Sequence, residues 1–198
     1  MDKLRQHIEE GLKNSYSYTE YEKRIESLLA EGKSTTKDAG EALVHFSKLG
    51  LQRMKRWDKK FELTADQKEK LRNFNKKQTW IVLAEGWCGD AAHSVPVINK
   101  IAELNKNIKL RIVLREENLD LMNDFLTNGG KSIPKMIVYD PENKRVENTW
   151  GPRPEGAKAI FNNYRHEDFM EVLEPKLQAW YNKDKGKTTA KEILALLS

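Results

Sequence analysis

The chain has 198 residues, of which 33% are charged and 38% hydrophobic, and a formal net charge of +5. Its 35 basic residues are interspersed with 30 acidic ones, and the densest basic patch is Lys55-Arg56 with Lys59-Lys60, so the charge reads as a solvated helix face and excludes a phosphate-binding stripe for nucleic acid. No apolar run approaches the roughly 18 residues of a membrane span, the charged start Met1 to Glu10 lacks a secretory apolar region, and a single cysteine fits a reducing compartment, so a cytoplasmic protein without a membrane partner is expected.

Helical periodicity dominates the first sixty residues. Leu4, Ile8 and Leu12 repeat at four-residue spacing, a capping box at Thr19-x-x-Glu22 predicts a second helix ending at Gly32, and Leu43, Phe46, Leu49, Met54 and Trp57 predict a third. Gly50 is a weak point inside that third helix. Thr64-x-x-Gln67 offers another capping box, with Leu71 and Phe74 marking a short helix behind it.

From residue 79 the period changes. The run 79–84 (Thr-Trp-Ile-Val-Leu-Ala) is apolar and β-prone, as expected of a strand buried on both faces. A helix is predicted over 91–104 with Pro96 as a kink, a second strand over 108–114, and a helix over 118–127 that stops at Asn128-Gly129-Gly130. Residues 135–139 and 145–150 then form a hairpin across Asp140-Pro141-Glu142-Asn143. A long helical stretch follows to near Tyr181, with Pro175 kinking it or starting a new helix. Thr189-x-x-Glu192 caps a last amphipathic turn, whose leucines are expected either to fold back on the N-terminal helices or to meet a second copy.

The only cysteine stands in Trp87-Cys88-Gly89-Asp90-Ala91, at the junction of the first strand and the helix after it. A thiol on the first turn of a helix faces unpaired N–H groups and the positive end of the dipole, which favours its thiolate. Asp90 and Glu85 pull the other way by Coulomb repulsion, and the sequence leaves the balance open. Asp90 is expected mainly as an acceptor for first-turn N–H groups. His93 lies five residues, about 500° of helix, beyond Cys88 and points away from it, so a Cys-His metal site is not expected.

These junctions resemble the thioredoxin fold. Trp87-Cys88-Gly89 is similar to the first half of Trp-Cys-Gly-Pro-Cys, Pro96 lies where that family kinks its helix, and Ile133-Pro134 precedes the third strand where thioredoxins keep a cis-proline. More closely, the chain resembles bacterial thioredoxin family proteins with Trp-Cys-Gly-Asp-Ala/Ser, through 85–91, 114–122, 126–135 and Trp150-Gly151-Pro152-Arg153-Pro154. One departure is Glu116, where aspartate is more often expected. The resemblance implies an α/β thioredoxin-like fold, a central mixed four-stranded sheet flanked by helices. It divides the chain into a helical N-terminal extension (1–63), a thioredoxin-like domain (64–182) and a C-terminal helix (183–198).

The resemblance further implies that the ends carrying Cys88, Glu116, the loop before Lys135 and the loop after Trp150 share one edge of the sheet. Arg115, Pro134 and Arg153 then stand near the sulfur, and Ile133 offers its backbone to a substrate. Thioredoxin's dithiol cycle does not carry over, because position 91 is alanine and no second thiol exists in the chain. Two functions stay open. The first is a monothiol disulfide oxidoreductase with Cys88 as nucleophile, Trp87, Gly89, Asp90, Arg115, Ile133, Pro134 and Arg153 as supporting residues, and an external low-molecular-weight thiol as resolving partner. Its expected substrate is a disulfide or mixed-disulfide protein, and no resident cofactor is expected. The second is a redox-inactive binding module that holds a partner protein in the same groove.

Overall fold

The computed structural model describes residues 2–197. Nine α-helices and four strands follow one another among them. Helices α1 (Lys3–Lys13), α2 (Tyr18–Ala30) and α3 (Glu41–Lys60) come first, then α4 (Ala65–Arg72) and β1 (Gln78–Ala84). After these come α5 (Gly89–Glu103), β2 (Ile108–Leu114), α6 (Leu119–Asp124), β3 (Lys135–Asp140), β4 (Arg145–Trp150), α7 (Glu155–Tyr164), α8 (Glu174–Asp184) and α9 (Lys187–Ala195).

The helix starts follow from local hydrogen-bonding chemistry. Thr64 and Gln67 close a reciprocal capping box at α4, as its spacing predicts. At α2 the box is Ser17 with Glu20, two residues ahead of the expected Thr19 and Glu22. Ser17 takes the extended conformation and accepts from the Glu20 N–H, while the Glu20 carboxylate accepts from the Ser17 N–H at 2.7 Å. That register also turns Tyr18 and Tyr21 into the core. The helix expected over 118–127 shrinks to α6 behind a short 3-10 turn at Arg115–Glu117, since Thr127 and Gly130 pair in a tight bridge that stops it.

The sheet has the order β2-β1-β3-β4, with β1 parallel to β2 and the other neighbours antiparallel. All seven residues of β1 are buried, the condition that made its sequence continuously apolar. Trp80 is fully buried and donates its indole N–H to Gln78 at 2.9 Å, so a large apolar side chain is buried with no orphaned donor. Ala84 pairs with Leu114, Leu83 with Lys135, and Met136 with Trp150. The loops after β1, β2 and β4 and the loop before β3 therefore meet at one edge.

Helices α3 and α9 both pack on α5. Ile193 and Leu194 of α9 enter the same core as Ile8, Trp57 and the strands, and Lys70 of α4 donates to the Leu194 carbonyl. The expected Thr189 cap is not formed. Helix α9 starts at Lys187 behind Gly186 in the left-handed region, Thr188 bonds to Asp184, and Thr189 is buried. The long helix is broken too, because α7 ends at Tyr164, a π-helical turn covers Phe169–Leu173, and Pro175 sits in the first turn of α8, where its missing N–H costs nothing.

Two glycines are required by close approach. A Cβ on Gly50 would stand 2.5 Å from the Gly86 carbonyl oxygen, so the apparent weakness in α3 is where that helix touches the loop before Trp87. Gly151 has φ +108°, and a Cβ there would stand 2.2 Å from the Pro134 carbonyl oxygen. The Ile133-Pro134 peptide is cis, as the resemblance implies, and so is Gly151-Pro152.

Candidate active site

Cys88 is the N-cap of α5, in the extended conformation with φ −77° and ψ 112°. The residue is only 7% exposed, and its thiol donates to the Ile133 carbonyl at 3.4 Å. It lies in the wall of a pocket of about 430 Å3 that Trp87, Ser132, Ile133, Arg115 and Arg153 also line. The sheet edge thus gathers the predicted residues, with Pro134 buried behind Ile133 and in contact distance of the Gly151 position.

The charges at this edge resolve the open balance. The N–H groups of Ala91 and Asp90 and the Arg153 charge do lower the Cys88 pKa, yet burial and then the Asp90 charge raise it more, to about 12. The thiol is the resting form, against the simple helix-terminus expectation. Asp90 is not a cap for first-turn N–H groups either. Its Oδ1 accepts from the Tyr181 hydroxyl at 2.7 Å and its Oδ2 pairs with Arg153 at 2.6 Å, with both partners largely buried. The Arg153 guanidinium also lies over the Phe161 ring at 3.9 Å. The buried carboxyl of Asp90 is itself pushed upward by desolvation, opposed by Arg153.

Glu85 does not face the sulfur as a free charge. It is fully buried, accepting from the Thr35 hydroxyl through one oxygen and from the Glu116 N–H at 3.0 Å through the other. Thr35 in turn accepts from the Gly86 N–H, and Thr36 accepts from the Trp87 indole at 2.8 Å. The segment before α3 therefore pins the cysteine loop. Arg115 lies over the Trp87 ring at 5.1 Å, donates to the Lys131 carbonyl at 3.2 Å and pairs with Glu116, the acidic residue at the departed position.

His93 turns away from Cys88. The Trp57 indole can only donate, so His93 accepts at Nδ1 and donates from Nε2 to Gln178, with its ring stacked on Tyr181. Burial pushes its pKa down to about 3. Among the described residues no three His, Cys, Asp or Glu side chains form a group that could hold a metal ion, and no helix is long and apolar enough to cross a membrane.

With this geometry in place, a profile of the thioredoxin family matches residues 36–165. The chain belongs to the thioredoxin family. The solved structures it is similar to show the same fold. One is a protein of unknown function from Pseudomonas aeruginosa, with 18% identity, TM-score 0.53, and 91% of this chain and 96% of that one covered. Another is an HIV epitope scaffold, with 18% identity, TM-score 0.55, and coverage of 91% and 97%. No curated protein matches.

This thioredoxin-family chain walls its cysteine with residues from several elements. Leu43, Phe46 and Arg53 of α3 line the pocket, as do Phe161 of α7, Phe169 and Glu174. Arg53 pairs with Glu174 at 2.6 Å, and a Cβ on Gly89 would stand 3.3 Å from an Arg53 nitrogen, so this ion pair spans the site beside Cys88. Sequence reasoning missed Thr35, Thr36, Arg53, Tyr181 and Glu174. None carries a motif; the only trace was Gly50, whose place in a helix marks where α3 approaches the cysteine loop.

Proposed function

We propose that this thioredoxin-family chain is a monothiol thiol–disulfide oxidoreductase of a reducing, cytoplasmic compartment. The observation that carries the reading is the position of the only thiol, at a helix N-cap against the Ile133 carbonyl and in the wall of a 430 Å3 pocket. The Cys88 thiol gives its proton to solvent as substrate enters, and the thiolate attacks one sulfur of a disulfide R–S–S–R′. The S–S bond breaks, Cys88–S–S–R forms, and R′–S⁻ leaves and takes up a proton. An external low-molecular-weight thiolate then attacks the R sulfur, forming a new disulfide and returning Cys88. The disulfide is reduced, the external thiol is oxidised, and no resident cofactor enters the cycle.

The substrate has work to do at the first step. With a pKa of about 12, only on the order of 0.001% of the thiol is ionised at pH 7. The Ala91 N–H, Arg153 and the Asp90 N–H already lower that pKa, and substrate entry has to offset both the desolvation of the sulfur and the Asp90 charge before they hold a thiolate. The test is reduction of a mixed disulfide in the presence of glutathione. Turnover by the native chain and none by Cys88→Ser is the expected result, and full activity of Cys88→Ser refutes it.

The raised pKa favours a second reading, a thioredoxin-fold binding module in which the groove beside Pro134 holds a partner protein. A thiol no faster than free cysteine, with a stable partner complex that survives Cys88→Ser, is its signature.

A further inference from the structure

A thioredoxin-type cysteine that serves protein disulfides must be approached by a second folded surface. Here the pocket that holds the sulfur is also lined by Phe46 and Arg53 of α3 and by Phe161 and Phe169. The Arg53–Glu174 pair joins α3 to the start of α8 beside Gly89. The cysteine itself is 7% exposed. The α3 wall is tied down, because Thr35 and Thr36 just ahead of it bond to Glu85, Gly86 and Trp87, while Phe169 at the rim is 51% exposed. A pocket of about 430 Å3 is within the range that encloses a small ligand.

Its chemistry is also selective. The side walls are aromatic, while three guanidiniums, Arg53, Arg115 and Arg153, reach the lining. Arg153 is engaged by the buried carboxylate of Asp90 and Arg53 by the half-buried one of Glu174, 9% and 25% exposed. Arg115 differs, since its acid Glu116 is 35% exposed and its guanidinium lies on the Trp87 ring. An exposed ion pair holds its geometry weakly, so Arg115 is the group that exchanges partner most readily, and a guanidinium is suited to a carboxylate. Arg153 also keeps a buried Nε without a hydrogen-bond partner.

We infer that the pocket selects a low-molecular-weight disulfide that carries a carboxylate on a short apolar or aromatic arm, and shuts out disulfides on folded proteins. The inference rests on the thiol chemistry proposed above. The carboxylate meets Arg115 above Trp87, the arm lies against the phenyl walls, and the sulfur reaches Cys88. The exchange is Cys88–S⁻ + R–S–S–R → Cys88–S–S–R + R–S⁻, with the Cys88 proton released to solvent and the leaving thiolate free to take one up.

The test uses dithiobis(nitrobenzoate), an anionic aromatic disulfide, against uncharged dithiodipyridine, each rate divided by that of a free cysteine. The expected result is a ratio of the two rates near one in Arg115→Gln and, in the native chain, a preference of about tenfold for the anionic probe over the uncharged one. Equal normalised rates overturn the inference. A nitrobenzoate mixed disulfide on a surface cysteine of a folded protein should react at least about a hundredfold more slowly than the free probe, because a folded surface cannot pass the walls. A comparable rate overturns it as well. Calorimetry of nitrobenzoate, which has no sulfur, on Cys88→Ser separates the two levels. Saturable binding lost in the Arg115→Gln double variant supports the pocket even if no disulfide ever exchanges, in which case only the thiol chemistry falls. Absence of binding overturns the pocket.

Discussion

Replacing Asp90 by asparagine asks directly what holds Cys88 protonated. Burial and the Asp90 charge raise the thiol, while Arg153 and two backbone N–H groups lower it. Asparagine keeps the shape and an oxygen to accept from Tyr181, but removes the charge. Two unit charges about 6 Å apart at an effective dielectric of about 20 repel by about 2.8 kcal/mol, or about two pH units in a pKa. Arg153, released from its counter-charge, adds to the fall. The alkylation midpoint with iodoacetamide should therefore drop from about 12 to roughly 10 or below. The same substitution breaks an ion pair whose side chains are 9% and 15% exposed; with the one remaining oxygen accepting from Tyr181, the new amide NH2 faces the Arg153 guanidinium donor to donor, which should cost about 3–5 kcal/mol of stability. Mass-spectrometric alkylation rates across pH, with guanidinium unfolding to establish that the variant is folded, give both numbers. A folded Asp90→Asn variant with an unchanged or higher midpoint would show that desolvation alone sets the thiol and that the charge argument is wrong.

Three further outcomes are expected. Because the Cys88 pKa is raised in the folded chain to about 12 from an unfolded value near 8.5, its contribution to stability is complete below pH 8.5 and is lost at about 1.4 kcal/mol per pH unit as pH rises towards 12. Cys88→Ala should remove that part of the alkaline slope between pH 9 and 10 in urea unfolding, and identical slopes count against the assignment. His93 has the opposite sign: its folded pKa is depressed to about 3, so its stabilisation is present above about pH 6.5 and is lost at about 1.4 kcal/mol per pH unit below it. A His93→Gln variant should flatten the profile between pH 6.5 and 4.5, and an undiminished slope refutes the buried neutral imidazole. Gly50→Ala gains about 1 kcal/mol of helix propensity but places a Cβ 2.5 Å from the Gly86 carbonyl oxygen, a conflict of backbone against backbone that costs more, so a net loss of about 1–3 kcal/mol is expected in thermal unfolding; a stabilised variant would mean that α3 does not press on the cysteine loop.

Much of the fold was legible because short-range patterns set it. The apolar run of β1, the turn at Asp140 to Asn143, and the capping box of Thr64 and Gln67 each declare themselves within a few residues. The parallel β1–β2 pair and the β3–β4 hairpin then bring the loops with Cys88, Arg115, Ile133 and Arg153 to one edge. Where two local patterns competed, as with Ser17-x-x-Glu20 and Thr19-x-x-Glu22, only burial of Tyr18 and Tyr21 decided between them. The helix past Leu119 was overestimated because the bridge of Thr127 with Gly130 is a turn contact that periodicity does not encode.

By itself the sequence determined that one thiol sits at a strand-to-helix junction, that the chain carries no second thiol to resolve it, and that a proline precedes the third strand. It left open what surrounds that thiol. The protonation of Cys88 depends on exclusion of water, and solvent exclusion is a sum over elements distant in the chain: Tyr181 bonds Asp90 from 91 positions away, Thr35 bonds Glu85 from 50, and Glu174 meets Arg53 from 121. Charges of known sign were visible in the sequence, but their strength is set by the dielectric and the distance between them, and only the tertiary structure decides both.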